Sequence, residues 1–182
     1  MPKFTNNWFE ITGIKNFEKY VAPLKDKNFL FLEVGCYEGQ ASVWLMENTN
    51  AGLIVVDTFA GGQDLPDEVH LLDRFVENTE KYGKRIAIRV GKSQEVLRNI
   101  SPDKFEFIYI DGSHLAGDTL EDAVLSFRLL KKGGIMIFDD YTWGRHLPLR
   151  EIPAVGIDAF LYVFADQLEV LEKNAQVVIK KI

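Results

Sequence analysis

A chain of 182 residues, 47% hydrophobic and 26% charged, is sized for one buried core. Its net charge of -6 argues against the phosphate backbone of a nucleic acid as a main partner, and no apolar run reaches the roughly 20 residues that a membrane-spanning helix needs. The single cysteine, Cys36, excludes an internal disulfide framework and a cysteine-based zinc site. The start "MPKFTNNWFEITG" shows no basic-then-apolar leader, so a cytosolic location is expected.

In chain order, "TNNWFEITGIKNFEKYVAPL" has the pattern of an amphipathic helix. Five short apolar runs then predict strands: Asn28–Val34, Gly52–Asp57, Arg85–Val90, Phe105–Asp111 and Gly133–Asp139. Their near-continuous hydrophobicity implies burial on both faces, as parallel strands require. Helix-length segments separate them: "EGQASVWLMENT", "DEVHLLDRFVENTEKYG", "SQEVLRN" and "GDTLEDAVLSFRLLKKGG". In the last, Val124, Phe127, Leu129 and Leu130 are expected on one buried face. Lys131 and Lys132 would face the helix dipole, and Gly133-Gly134 would end the helix. "VGIDAFLYVFAD" reads as a further helix, and "QLEVLEK" and "AQVVIKK" as a terminal antiparallel hairpin. The alternation predicts an α/β fold: a single domain over residues 1–182 with a Rossmann-like, doubly wound, mostly parallel sheet and a helical extension over residues 1–27.

Right-handed crossovers bring all the strand C-terminal ends to one edge, where ligands bind in such sheets. After the first run, "EVGCYEGQAS" places glycines at Gly35 and Gly39. The spacing differs from the G-x-G-x-x-G dinucleotide fingerprint, and Glu33 adds negative charge where a diphosphate would sit, so a cationic or neutral ligand is favoured over a purely structural turn. Cys36 and Tyr37 lie within this turn, and Cys36 is assigned no chemistry of its own. Asp57, with Thr58 beside it, ends the second run where a carboxylate can take ribose hydroxyls; a solvated aspartate is the plainer alternative. After the third run, Gly91, Lys92 and Ser93 form a close turn, with Ser93 as a helix N-cap first and an adenine contact second.

The fourth run ends in Asp111 and the fifth in Asp139 and Asp140. As neighbouring parallel strands they would lie about 4.8 Å apart, so the acids would converge and repel. A hard divalent cation such as Mg²⁺ would relieve that repulsion and hold a substrate hydroxyl. The alternative is turn chemistry, with Asp140 in solvent and Asp111 capping a turn. His114 is either a general base, alongside Asp111, or a plain loop histidine. The long connection carrying Trp143, Arg145, His146 and Arg150 is a candidate lid. "DTFAGGQDLPDE", with Gly61-Gly62 as hinge, is a second.

Together these residues resemble class I S-adenosylmethionine-dependent methyltransferases, from "FLEVGCYEGQASVWL" through "VVIKK". The resemblance implies that Glu33, Gly35 and Gly39 form the cofactor motif, that Asp57 holds the ribose, and that the terminal hairpin inserts at the sheet edge. "YIDGSH" followed by "LLKKGGIMIFDDY" looks more specifically like the metal-dependent O-methyltransferase branch, of catechol and antibiotic-sugar type. That likeness implies Asp111, Asp139 and Asp140 as metal ligands; Asp140, where catechol-type members carry Asn, sides with the sugar type. Sugar-type members have a longer N-terminal region than the roughly 27 residues that precede the first strand here. The expected partner is a small-molecule hydroxyl substrate, with no nucleic acid, no membrane, and room for a homodimer. Two rivals are a metal-independent methyltransferase and a non-catalytic partner module using Trp8, Phe9 and Trp143 as an interface. A nicotinamide dehydrogenase is disfavoured by the missing glycine and by Glu33.

Overall fold

The apolar runs form the strands expected of them. In the computed structural model, which describes residues 2–24, 28–61 and 70–182, the strands are β1 (Leu30–Val34), β2 (Gly52–Asp57), β3 (Ile86–Val90), β4 (Phe105–Ile110), β5 (Leu130–Phe138), β6 (Leu168–Lys173) and β7 (Val177–Lys181). They make one sheet in the order β3-β2-β1-β4-β5-β7-β6. The first five are parallel, and β7 enters antiparallel between β5 and β6. β4 and β5 are neighbours, with Ile110 paired to Phe138, so the acidic residues that follow them leave the sheet side by side.

Alternate residues of each strand feed two cores. Leu32, Val34, Ile108, Ile110 and Phe138 face α5 (Ser93–Val96), α6 (Ala116–Leu129) and α7 (Pro153–Val163). Phe31, Leu53, Val55, Phe107 and Tyr109 face the other way, toward α1 (Trp8–Thr12), α2 (Ile14–Asn16), α3 (Gln40–Asn48) and α4 (Leu71–Thr79). This two-sided burial is what the unbroken apolar runs required. Phe17 anchors the N-terminal helices, meeting Phe107 and Tyr109 edge-on at ring distances of 5.5 and 4.9 Å. Among the described residues, no helix is long and apolar enough to cross a membrane.

Three local expectations are corrected. The "KKGG" segment lies inside β5, because α6 stops at Leu129 and Leu130 already pairs with Phe105. Lys131 there pairs with Glu106 rather than with a helix end. Val124 is exposed, since the buried stripe of α6 runs through Ala123, Ser126, Phe127 and Leu129. Phe9 is buried against Phe17 and offers no interface, whereas Trp8 is exposed. The proposed hinge residue Gly62 and most of the segment after it, residues 62–69, lie outside the described residues.

Candidate active site

The ladder hydrogen bonds run one residue past each strand end and fix where the functional edge begins. Gly35 N–H donates to the Val56 carbonyl at 2.9 Å, Asp111 N–H to Val34 at 2.8 Å, and Asp139 N–H to Ile110 at 2.9 Å. Gly35 sits at φ +79°, and a Cβ there would stand 2.5 Å from Gly112 Cα and nearer still to the Asp111 carbonyl oxygen. Only glycine fits this approach of two backbones. It brings the turn after β1 into contact with the acidic loop after β4.

The rest of the turn is shaped by Asp57. One carboxylate oxygen accepts the Cys36 and Tyr37 N–H groups at 2.7 and 3.1 Å, and the other accepts Phe59 N–H at 2.7 Å. Tyr37 is thereby held at φ +49°, a left-handed conformation costly for a tyrosine. Asp57 thus organises the turn before it meets any ligand. Gly39, at φ +89°, opens α3 and faces the Phe75 ring of α4, 3.0 Å from where a Cβ would lie.

Glu33 lies beneath the turn, 1% exposed, accepting the Ser42 hydroxyl at 2.5 Å. Burial pushes its carboxyl up to about 8, so it is mostly protonated at neutral pH and brings little charge to the turn. Ser93 is the first residue of α5, not its cap. Lys92 occupies the capping position, and no side chain caps this helix with a hydrogen bond.

At the acidic edge a residue hidden in an apolar strand takes the central place. The fully buried Tyr109 hydroxyl donates to Asp139 Oδ2 and lies 3.2 Å from Asp111 Oδ2. Period-two alternation puts Tyr109 on the same side as Asp111, the one signal in the sequence that could have found it. Asp139 Oδ1 accepts the Asp140 N–H at 2.8 Å. Asp140, at φ +57°, turns its carboxylate to His114, with Oδ2 2.8 Å from Nε2. The His114 ring in turn packs on Trp143 at 4.2 Å.

Desolvation and then the Asp139 and Asp140 charges push the Asp111 carboxyl well above the usual carboxylate range. Asp111 as a whole keeps an exposed face on the cleft, so the neighbouring charges are the cause to weigh most. Asp139 is buried and raised first by that burial and then by Asp140. The three acids therefore do meet, but as a Tyr109-bridged pair plus a separate Asp140–His114 pair. Among the described residues, no group of three His, Cys, Asp or Glu side chains is arranged to hold a metal ion. In this arrangement both Asp139 oxygens and one of Asp140 meet protein partners, while Asp111, Asp139 and Asp140 stay side by side at the strand ends.

The comparisons bear on the fold and the family. Residues 32–141, more than half of the chain, match a family model described as a methyltransferase domain. Uncharacterized protein R132 of Acanthamoeba polyphaga mimivirus is 26% identical over 139 residues, covering 69% of this chain; the chain spans 57% of that relative. Among solved structures, the O-methyltransferase TomG from Streptomyces achromogenes, in complex with SAM, superposes at TM-score 0.66 with 14% identity, over 92% of this chain and 78% of its own. An O-methyltransferase from Bacillus cereus in complex with SAH gives 0.66 and 18%, covering 92% and 80%. The O-methyltransferase NovP gives 0.70 and 17%, covering 93% and 80%. At these identities the likeness is one of fold, a seven-stranded sheet with its antiparallel pair at one end. With the family match over β1 through the acidic edge, it follows that the chain belongs to the methyltransferase-domain family.

Proposed function

We propose that the protein binds S-adenosylmethionine at the Gly35–Gly39 turn and transfers its methyl group to a hydroxyl oxygen of a small molecule. The observation that carries this reading is the backbone contact of Gly35 with Asp111 and Gly112, which sets a donor turn directly against a cluster of proton acceptors. Asp57 and Thr58 border the ribose, Gly91, Lys92 and Ser93 the adenine, and Cys36 and Tyr37 the amino acid portion. The O-methyltransferases TomG and that of Bacillus cereus, solved with SAM and SAH, share this fold, which supports the assignment.

In the reaction, a lone pair of the acceptor oxygen forms the new C–O bond while the S–CH₃ bond breaks and its electrons return to sulfur. The hydroxyl proton passes to Asp111, which borders the cleft and whose proton affinity is raised by its surroundings. His114, oriented by Asp140 and covered by Trp143, lines the acceptor side. Holding the two reactants in line supplies much of the acceleration.

Asp111, Asp139 and Asp140 are the oxygen donors that would hold the cation implied by the sequence resemblance, which would lower the pKa of a bound hydroxyl. Asp139 can keep the Tyr109 hydroxyl and still offer a lone pair to a cation. Isothermal titration with S-adenosylmethionine tests the donor half, and no heat at millimolar cofactor rejects it. Activity across a panel of phenols and sugars, with and without EDTA, tests the acceptor half. Loss of turnover with EDTA and its return with Mg²⁺ would establish the cation-assisted form.

A further inference from the structure

The cofactor turn is also gripped from the outside. Residues Lys3–Phe9 cross it as a strap, and most of their polar contacts fall on the turn and on α4. Thr5 donates to Glu38 Oε2 through its N–H at 2.7 Å and its hydroxyl at 3.0 Å, and the same hydroxyl lies 3.2 Å from the Tyr37 hydroxyl. The Gln40 side chain accepts Phe9 N–H at 3.3 Å and donates to the Asn6 carbonyl. Asn78 of α4 accepts Lys3 N–H at 2.7 Å and donates to the Lys3 and Glu38 carbonyls at 3.1 and 2.9 Å. The exposed Trp8 ring stands 5.7 Å from the Tyr37 ring.

Glu38 is where these contacts converge. It is 1% exposed although it sits in a turn, and its second oxygen meets Arg74 Nη1 of α4 at 2.6 Å. A buried carboxylate is tolerated only when its partners neutralise and satisfy it, and here those partners come from two other segments. The left-handed Tyr37 beside it is pinned on both sides, its amide by Asp57 and its hydroxyl by Thr5. An unstrapped turn would be free to relax that backbone.

We infer that Glu38 is a positioning residue for the methyl donor, locking the Lys3–Phe9 strap and α4 onto the Gly35–Gly39 turn so that the strap forms part of the donor site. The inference rests on the proposed use of S-adenosylmethionine. It gives the short N-terminal segment a role in cofactor affinity, separate from the acid cluster that handles the acceptor.

Hydrogen exchange on the full chain, with and without S-adenosylhomocysteine, tests it. In the wild type, the ligand should slow exchange at least fivefold over residues 3–9 as well as over the turn. In Glu38→Gln the turn should keep its protection while the strap loses it, the ligand Kd should rise at least fivefold, and KM for S-adenosylmethionine should rise by more than kcat falls. Thr5→Val, a change at an exposed residue that spares the core, should act in the same direction and serves if Glu38→Gln fails to fold. Protection of the turn with unchanged exchange at residues 3–9 overturns this inference alone. A lowered melting temperature with unmoved Kd in both variants does so as well. No protection anywhere in the wild type rejects the cofactor reading and this inference with it.

Discussion

Gly35 and Asp111 are in backbone contact across the ends of β1 and β4, so closely that no side chain fits between them. Replacement by alanine is therefore expected to push the two loops apart and force an L-residue to φ +79°. Gly35→Ala should lower unfolding free energy by about 3 kcal/mol and abolish cofactor binding. Urea denaturation and calorimetric titration measure the two effects; a variant that binds normally contradicts the contact.

Glu33 gives a signed pH dependence. Its carboxyl ionises near 4.5 when unfolded but only near 8 when folded, so between these values the folded chain holds a proton the unfolded chain has lost. Stability contributed by the neutral acid is complete below 4.5 and is lost as pH rises through 8. Glu33→Gln stays neutral and escapes this loss. The stability gap should shift in the variant's favour by on the order of 4 kcal/mol between pH 5 and pH 9. Parallel stability–pH curves for the two proteins would refute the assignment.

Tyr109→Phe removes the only proton that the Tyr109 side chain can give to the buried Asp139 oxygen. The expected cost is about 1–3 kcal/mol of stability, with a fall in kcat as the acid pair loses its bridge. Thermal melts and steady-state rates test this. An unchanged melting temperature would show that the hydroxyl does not serve Asp139.

Asp111→Asn keeps the shape of the acidic edge and removes the proposed proton acceptor. Turnover should fall roughly 10²–10⁴-fold, with a much smaller change in cofactor Kd. Equal losses in both would place Asp111 in donor binding rather than in chemistry.

The architecture was legible because it rests on patterns with one reading. Continuous apolar runs such as Phe105–Ile110 mark two-sided strands, and the order of runs and helical segments gave the parallel sheet and the inserted hairpin. The convergence of Asp111 with Asp139 followed from strand adjacency alone. The details that failed depended on competition between partners. Lys131 chose Glu106 over a helix end, and Lys92 rather than Ser93 stands at the cap of α5. Asp140 turned to His114 because of a left-handed backbone that "DD" does not announce. Tyr109 and Glu38 carry no mark in the sequence, because one has the pattern of core and the other of surface, whereas burial makes each a polar hub.

Placing β7 between β5 and β6 has a consequence for biogenesis. Until Val177–Lys181 emerges from the ribosome, β5 presents an open, mostly apolar edge with no neighbour on that side. An arrested or truncated nascent chain would carry that sticky border into the cell, a natural docking point for chaperones and a seed for clumping.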